Sequence, residues 1–343
     1  MLRFVLVVFL CPMSEAGYMV VVPNRSVFQD PCALSGGCDV ARWNVREKAL
    51  ASLDGPAESE KCVMAHRWGL GSELSGIVKS VVNVILNAPS ERFCVGYDSL
   101  WSYAAVTRNF ERNCSKLGCF FEALKRPCAS DRSDCIKGNP LVVTDDDHVA
   151  KYERQTNLSL LSVRAAATKA IFQTQTKLQR DHFQKKARDL FQGNFHTDYI
   201  AVHIRWGDKL TFKESEKVEA LEYIKAAENL AAQRNVTTIL IVTNDHTAAD
   251  AVKDAIGDLP TSGRHNNNHT DHCFRYVFPS YYASAKDPLD FISDIMLLTA
   301  GKGAVVTFSS NMGRLVYFLR HDSILNDTFN IVSMDWQTFH VNF

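Results

Sequence analysis

Several common nucleotide, hydrolase and zinc signatures are missing from this chain of 343 residues. It has no G-x-G-x-x-G and no Walker sequence, which counts against NAD and ATP as ligands. It also lacks the G-x-S-x-G elbow of serine hydrolases and any C-x-x-C pair that would indicate zinc. The chain has no excess of positive or negative charge, because it contains 38 basic and 38 acidic residues. This balance gives no indication of a nucleic-acid partner.

The amino terminus lacks an apolar run long enough for a membrane helix, which needs about 20 residues. Phe4–Cys11 is apolar and follows the positive charge of Arg3, and Ser14–Ala16 has the small residues of a cleavage site. We therefore predict a signal peptide over residues 1–16 and no stable membrane span. A short buried strand is the alternative for the same apolar residues.

Cysteine is abundant and unevenly distributed. Eight of the ten cysteines lie between Cys32 and Cys135, which predicts a disulfide-rich first half formed in an oxidising compartment, with the connectivity left open. Six Asn-x-Ser/Thr sequons support a glycoprotein of the secretory pathway, in the Golgi lumen or secreted. They are Asn24, Asn113, Asn157, Asn235, Asn268 and Asn326.

Alternating strand and helix patterns predict an α/β protein. In the first half, a strand over 62–66, a helix beginning after Ser72 and a strand over 92–97 form one βαβ unit. Residues 162–191, rich in Ala, Lys, Gln and Arg, predict one long bridging helix. From residue 198 onward, strands and helices alternate in the way typical of a parallel, doubly wound sheet. In that half, Thr247 and Asp250 resemble a capping box.

These patterns divide the chain into parts. The predicted parts are an amino-terminal acceptor-side α/β domain over 17–160, a bridging helix over 161–196 and a carboxy-terminal Rossmann-like domain over 197–343.

The strongest candidate site follows the apolar run Ile200–Ile204. Arg205, Asp208 and Lys209 stand where this buried strand must end, which is where open α/β sheets bind ligands. A guanidinium there can grip two phosphate oxygens in one plane, with the lysine adding a point charge. A structural ion pair between Arg205 and Asp208 is the alternative.

Two weaker candidates lie further along the chain. Ser309 and Ser310 stand at a strand-to-helix junction, where free amides favour an anion, although a plain helix cap gives the same pattern. Asp294 lies in an amphipathic helix, and its carboxylate can accept the ring and exocyclic N–H groups of guanine. A solvent-facing helix charge is its alternative.

A metal is not expected. Acidic residues after a strand, such as Asp145–Asp147, hold Mn²⁺ in some metal-dependent glycosyltransferases of a different architecture, but a solvated acidic turn is the favoured interpretation here. Arg205 and Lys209 would neutralise a diphosphate without a metal.

In these motifs the chain resembles the α1,6-fucosyltransferase family, the core-fucosylating enzymes of N-glycans, and their bacterial chitooligosaccharide relatives. The family's His-x-Arg-Arg-x-Asp-Lys is similar to 203–209, and its Ala-Thr-Asp-Asp is similar to 242–245. Its Asp-Ile helix followed by Cys-Thr-Phe-Ser-Ser and Arg is similar to Asp294, 306–310 and Arg314. The turn at 69–71 is similar to the family's Gly-Phe-Gly turn.

The resemblance implies a GT-B-like fold with two Rossmann-like domains, GDP-β-L-fucose as donor substrate, inversion at the anomeric carbon, and neither metal nor cofactor. It also implies site residues. The implied donor-binding residues are His203 and Asp294 near guanine, Arg205 at the β-phosphate, Ser309 and Ser310 beside it, and Asp208, Asp245 and Arg314.

Three positions depart from the family pattern. Trp206 replaces its second Arg, Asn244 replaces the first Asp of its pair, and Lys213 stands where its proposed base is a Glu. Glu214 is the next residue, so the predicted catalytic residues are Arg205, Lys209 and Glu214.

The expected function is transfer of L-fucose from GDP-fucose to a GlcNAc-bearing glycan such as an N-glycan, in α1,6 linkage. The alternatives are a non-catalytic glycan- or nucleotide-sugar-binding relative and a protein O-fucosyltransferase.

Overall fold

The fold was analysed in a computed structural model. It describes residues 7–10, 48–49, 59–64, 70–87, 91–96, 120–121, 124, 159–206, 217–243, 245–257, 274–278, 288–325 and 327–335. The predicted cleavage site, most of the cysteine-rich region and Asp145–Asp147 lie outside these residues. No helix within the described part of the chain is both long and apolar enough to cross a bilayer.

The carboxy-terminal half is built on a parallel sheet, as the sequence predicts. Five parallel strands lie in the order β6-β5-β4-β7-β8. They form because their apolar residues are buried, which is typical of strands covered on both faces. The strands are β4 (Ile200–His203), β5 (Thr238–Val242), β6 (Phe274–Val277), β7 (Gly303–Val306) and β8 (Asn330–Ser333).

Seven helices occur in the described ranges, and several cover the two faces of this sheet. Helices α4 and α5 belong to one face, and α6 and α7 lie on the other. The helices are α1 (Leu70–Asn87), α2 (Leu160–Gln173), α3 (Lys177–Leu190), α4 (Ala220–Gln233), α5 (His246–Gly257), α6 (Pro288–Ala300) and α7 (Asn311–Leu325).

Alternation along β4 decides which residues can reach a site. Ile200 and Val202 belong to the core beneath α4, whereas Ala201 belongs to the core on the α6 and α7 side. His203 and Arg205 share the parity of Ala201, since successive strand residues point to opposite faces. Both are therefore expected on the α6 and α7 face.

The predicted long bridging helix over 162–191 is wrong, because two helices occupy this region. Thr174 follows α2, and the side-chain oxygen of Thr176 accepts a hydrogen bond from the Gln179 amide at 3.3 Å, which caps α3. The break is held from outside, since the Thr176 amide donates to the Phe120 carbonyl at 2.8 Å. Helix α2 packs against α7, and α3 packs against α6.

The predicted βαβ unit is present in the first half. Strands β2 (Ser59–Met64) and β3 (Glu91–Gly96) pair in parallel, and α1 connects them. Helix α1 already includes Leu70, so the prediction that it begins after Ser72 is wrong. It packs against α2 and α7, which brings the βαβ unit onto the helices that cover the large sheet.

The predicted leader contains a strand. Val7–Leu10 forms β1, which pairs antiparallel with β6 at the edge of the large sheet. The strand agrees with the alternative for these residues, and the burial that the alternative also expects stays a prediction. Removal of residues 1–16 by a signal peptidase would take β1 away and leave β6 as the edge of the sheet.

Candidate functional site

The carboxyl ends of β4 and β7 place two predicted site segments side by side. These strands are parallel neighbours, with Val202 opposite Val305. Arg205 and Phe308 each lie three residues further along, at the same edge of the sheet, and neighbouring strands are about 4.8 Å apart. Arg205 is half-buried there. The arginine predicted to hold a phosphate and the serine doublet after β7 therefore lie on adjacent chain segments.

His203 ends β4 and is almost completely buried, at 3% exposed. Burial, with a further contribution from the positive charge of Arg205, lowers the pKa of His203 to about 3. The ring is therefore neutral at physiological pH. Its Nδ1 atom has no hydrogen-bond partner among the described residues. The Nδ1 atom of a neutral imidazole donates or accepts one hydrogen bond, depending on the tautomer, and so can pair with a neutral ligand such as a nucleobase.

Trp206 lies on the opposite face from His203, in the core beneath α4. Its Nε1 donates to the Val218 carbonyl at 3.1 Å, and the Lys217 ammonium lies 4.7 Å from the ring centroid. The indole is 5% exposed. The residue that replaces the second arginine of the resembled family is thus a core residue, and Arg205 lacks a neighbouring guanidinium at position 206.

The start of α7 differs from the free anion site that the sequence suggests. The Asp335 carboxylate accepts the Phe308 amide at 2.7 Å and the Ser309 amide at 2.8 Å. It also accepts the Ser333 hydroxyl at 2.8 Å. These two amides are therefore not free, because a carboxylate of the same chain already holds them.

The serine side chains are partly available at this junction. The Ser309 hydroxyl is buried and lacks a partner within the described ranges. Ser310 is 3% exposed, and its carbonyl accepts the Arg314 amide at 3.2 Å, so it immediately precedes the first turn of α7. Ser309 is thus the serine whose hydroxyl remains able to bind a ligand.

Arg314 is positioned by the turn that precedes it. Its Nε donates to the Phe308 carbonyl at 2.6 Å, and its terminal nitrogen donates to Asn311 Oδ1 at 3.3 Å. Burial lowers the pKa of Arg314 to about 10, against the attraction of the Asp335 charge. The guanidinium remains charged at neutral pH and stabilises the β7–α7 junction.

Asp245 serves as the cap of α5. Its Oδ1 accepts the Thr247 amide at 2.8 Å, the Thr247 hydroxyl at 2.5 Å and the Ala248 amide at 3.2 Å. Partial burial acts to raise the pKa of this carboxyl, but these hydrogen bonds outweigh it and lower the pKa. The predicted capping box with Thr247 as the cap is wrong, because the preceding aspartate performs that role.

Asp294 lies in a polar seam between α3 and α6. Its carboxylate is 2.7 Å from the Lys186 ammonium, which is also 3.2 Å from Asp290. Burial raises the pKa of Asp294 in spite of this lysine. Burial acts to lower the pKa of Lys186, but the two carboxylates outweigh it and raise the pKa. The predicted guanine acceptor therefore has an ammonium partner within the protein.

Three helix amino termini converge near the same edge of the sheet. A Cβ atom on Gly71, in the first turn of α1, would lie 3.1 Å from the Phe291 ring and 3.4 Å from Cβ of Asn311. Phe291 is in the first turn of α6, and Asn311 begins α7. Helix amino termini carry partial positive charge, so their convergence favours a negatively charged ligand.

Four residues of interest, Asp208, Lys209, Glu214 and Asn244, lie outside the residues that the structure describes. Among the residues that the structure does describe, no group of three or more histidine, cysteine or acidic side chains is arranged to hold a metal ion.

Sequence reasoning missed Asp335 and Lys186. The sequence signal for Asp335 is weak: Ile331 and Val332 indicate a short strand, β8, and Asp335 follows it. Pairing of β8 with β7 then determines where Asp335 lies. Lys186 falls within a predicted helix, but no local pattern links it to Asp294.

Comparisons with known proteins add no family to this geometry. No protein-family model matches the chain, and no curated protein matches it.

Proposed function

We propose that this chain is an inverting glycosyltransferase that moves L-fucose from GDP-β-L-fucose to a GlcNAc-bearing glycan, in α1,6 linkage. The main support is the adjacency of Arg205, at the carboxyl end of β4, to the segment around Ser309 that follows β7. This edge of a parallel sheet is where α/β proteins bind nucleotides. The amino termini of α1 and α6 lie beside that of α7, whose amides Asp335 holds, and they favour a polyanion such as a diphosphate.

The proposed donor site uses each group for a separate part of GDP-fucose. Arg205 holds the β-phosphate through two parallel hydrogen bonds, and the Ser309 hydroxyl and Lys209 add donors. His203, neutral and buried beside Arg205, lies near the guanine. Because the Phe308 and Ser309 amides are taken by Asp335, side chains supply the phosphate contacts in this proposal.

The proposed reaction needs charge stabilisation more than any other assistance. Breaking the fucosyl–phosphate bond transfers negative charge to GDP, and Arg205 and Lys209 face that charge. Preorganised electrostatic stabilisation of this kind is usually the largest contribution to catalysis. An acceptor hydroxyl attacks the anomeric carbon from the opposite side, and Glu214 is proposed to remove its proton.

The proposed architecture is GT-B-like, with the β2–α1–β3 unit as part of an acceptor-side domain. Support comes from the contact between the start of α1 and the helices at the edge of the large sheet. A secretory location is also proposed. Asn235 is exposed after α4, so this sequon is accessible to a glycan.

The test compares Arg205→Ala and Arg205→Lys with Arg188→Ala, which removes an exposed arginine of α3. Transfer from GDP-fucose to a chitobiose-containing glycan, and binding of GDP against UDP, are measured for each. Loss of two charge-assisted hydrogen bonds, worth about 1.5–3 kcal/mol each, predicts at least about a 100-fold loss of transfer in Arg205→Ala. Arg205→Lys is expected to recover only part of it.

The proposal fails if Arg205→Ala transfers fucose as well as Arg188→Ala does, or if the folded wild-type protein binds UDP as tightly as GDP. A peptide acceptor used beside the glycan distinguishes transfer to protein hydroxyls.

A non-catalytic nucleotide-sugar-binding relative is the second candidate. It is favoured by the Asp335 carboxylate on the α7 amides and by the burial of Trp206 at the position of the second arginine. Calorimetric binding of GDP-fucose without release of GDP over hours would favour this candidate over the enzyme.

A further inference from the structure

Three positively charged side chains from three different helices meet at one pocket on the outer side of α7. They are Lys79 of α1, Arg164 of α2 and Arg314 of α7. Apart from the cations, the pocket is lined by Ser75, Val78, Leu315 and Phe318. The sequence gives no indication of this cluster, because the three residues are separated by more than 80 positions at each step.

Arg164 is the central residue of this three-cation cluster. It is 6% exposed, and its Nε has no hydrogen-bond partner among the residues that the structure describes. No carboxylate of the described part of the chain lies within ion-pair distance of its guanidinium. Arginine is rarely this buried without a partner, because desolvation of an unpaired charge is costly. Among the described residues the position thus has room for a negative group that they do not supply.

The other two cations add positive charge to the same pocket. Burial, and then the charge of Arg314, lower the pKa of Arg164 to about 10. Burial lowers the pKa of Lys79, with Arg164 and Arg314 contributing in the same direction. The two arginines still carry their charge at neutral pH. The charge of Asp335, at the β7–α7 junction, attracts Arg314.

The size of the pocket limits what can enter. Its enclosed volume is about 10 Å³, which is about the space for one water-sized group. One oxygen of a small oxyanion fits there, with the rest of the anion at the mouth of the pocket. A tetrahedral oxyanion has several oxygens to share among cations that approach from different helices.

We propose that Lys79, Arg164 and Arg314 form a binding site for a phosphate or sulfate group, with Arg164 as its central ligand. The site joins α1, α2 and α7, so an anion bound there ties the βαβ unit to the helices of the large sheet. The inference does not rest on the proposed fucosyltransferase activity, because its central ligand, Arg164, has no part in the proposed donor site; Arg314 is the one member of the cluster that the family resemblance also assigns to the donor.

The experiment measures the thermal midpoint of the full chain in phosphate and in chloride at equal ionic strength. Binding to the folded state alone raises the midpoint by mass action, so 10 mM phosphate is expected to raise it by at least about 2 °C. Titration of inorganic phosphate followed by ³¹P NMR gives the dissociation constant directly.

The decisive variant is Arg164→Met, which keeps most of the side-chain length and removes the buried charge. In chloride it is expected to melt at or above the wild-type midpoint, and in phosphate to show no increase. Arg188→Met is the matched control, because Arg188 is exposed on α3, and it keeps the phosphate response. Arg164→Lys keeps the charge without the planar fork and weakens phosphate binding at least about tenfold.

Two additions identify the source of the anion. If phosphate and saturating GDP raise the midpoint additively, the site takes a separate phosphate or sulfate group. If GDP abolishes the phosphate response, the diphosphate of a nucleotide occupies the cluster. The proposal is overturned if the wild type responds equally to phosphate and chloride, or if Arg164→Met and Arg164→Lys both keep the wild-type response.

Discussion

Replacing Asp335 with alanine removes the carboxylate that holds the start of α7. In the structure this side chain accepts two backbone amides, those of Phe308 and Ser309, and the hydroxyl of Ser333, all within 2.8 Å. The variant takes the carboxylate acceptor away from both amides at the positive end of a helix, and the Phe308 amide keeps the Ser333 hydroxyl oxygen at 3.3 Å. The turn between β7 and α7 should therefore lose its main external support.

The expected cost follows from these three hydrogen bonds. A hydrogen bond to a charged group contributes about 1.5–3 kcal/mol, and loss of a helix-capping side chain costs about 0.5–2 kcal/mol. Asp335 is only half-buried, so water replaces part of what is lost. We expect Asp335→Ala to lower the free energy of unfolding by about 2–3 kcal/mol, and Asp335→Asn by less, because the amide oxygen still accepts one N–H.

Urea unfolding followed by circular dichroism measures this change, provided that the slope of the transition is unchanged. Asp250→Ala is the matched control, since Asp250 is an exposed aspartate of α5 that pairs only with Lys253 at 3.0 Å in the described structure. The control should change stability by no more than about 0.5 kcal/mol. If Asp335→Ala is no more destabilising than Asp250→Ala, the carboxylate does not support the turn.

Three further predictions concern buried positions. Gly313→Ala should lower stability by about 1–3 kcal/mol in the same urea assay, because its Cβ would lie 2.4 Å from the carbonyl oxygen of Thr307. His203, whose pKa is lowered to about 3 from 6.5, should remain neutral from pH 8 to pH 4 in NMR titrations. The unfolded chain takes up this proton near pH 6.5, so His203 should make stability decrease as pH falls from there towards 3. Burial raises the pKa of Glu228 although Tyr276 donates a hydrogen bond to it. Glu228 therefore loses its proton more readily in the unfolded chain than in the folded one, so stability decreases as pH rises above the ordinary pKa of glutamate. Glu228→Gln should therefore make stability less sensitive to pH between 4 and 8.

Each of these predictions has a control and a contrary result. Gly257 is the last residue of α5 and faces open space, so Gly257→Ala should change the free energy of unfolding very little. Equal effects of the two glycine substitutions would contradict the packing argument. His246 is exposed, and its NMR signals are the reference for a histidine reached by solvent. A shift of the His203 signals between pH 8 and pH 5 would contradict its burial. For Glu228 the control is Glu222→Gln in the same helix, and a steeper pH profile in Glu228→Gln would contradict the assignment.

The parallel sheet could be predicted because its signal is local. Apolar runs such as that of β4 are buried on both faces, and helical periodicity separates them, so the order of elements follows from the sequence alone. The presence of β4 shortly before Arg205 and the serine doublet before α7 also follow from such local patterns, although β4 ends at His203, earlier than the apolar run predicts. Arg205 could be singled out because a charge directly after a buried strand is unusual.

The remaining features depend on contacts between distant residues. The break between α2 and α3 is held by the Phe120 carbonyl, whereas the Ala- and Lys-rich sequence on both sides favours a continuous helix. Asp335 reaches α7 only because β8 pairs with β7, and Lys186 reaches Asp294 only because α3 packs on α6. Periodicity describes the face of a helix but does not identify the helix that covers it.

The indole of Trp206 has a consequence for the connection between β4 and α4. Its hydrogen bond to the Val218 carbonyl joins the chain just after β4 to the chain just before α4. The two ends of the connection therefore stay together, and the entropy of closing a connection between fixed ends changes only slowly with its length. In the proposed enzyme, Lys209 and Glu214 belong to this connection, and the Trp206–Val218 bond would hold both ends of the segment that carries them.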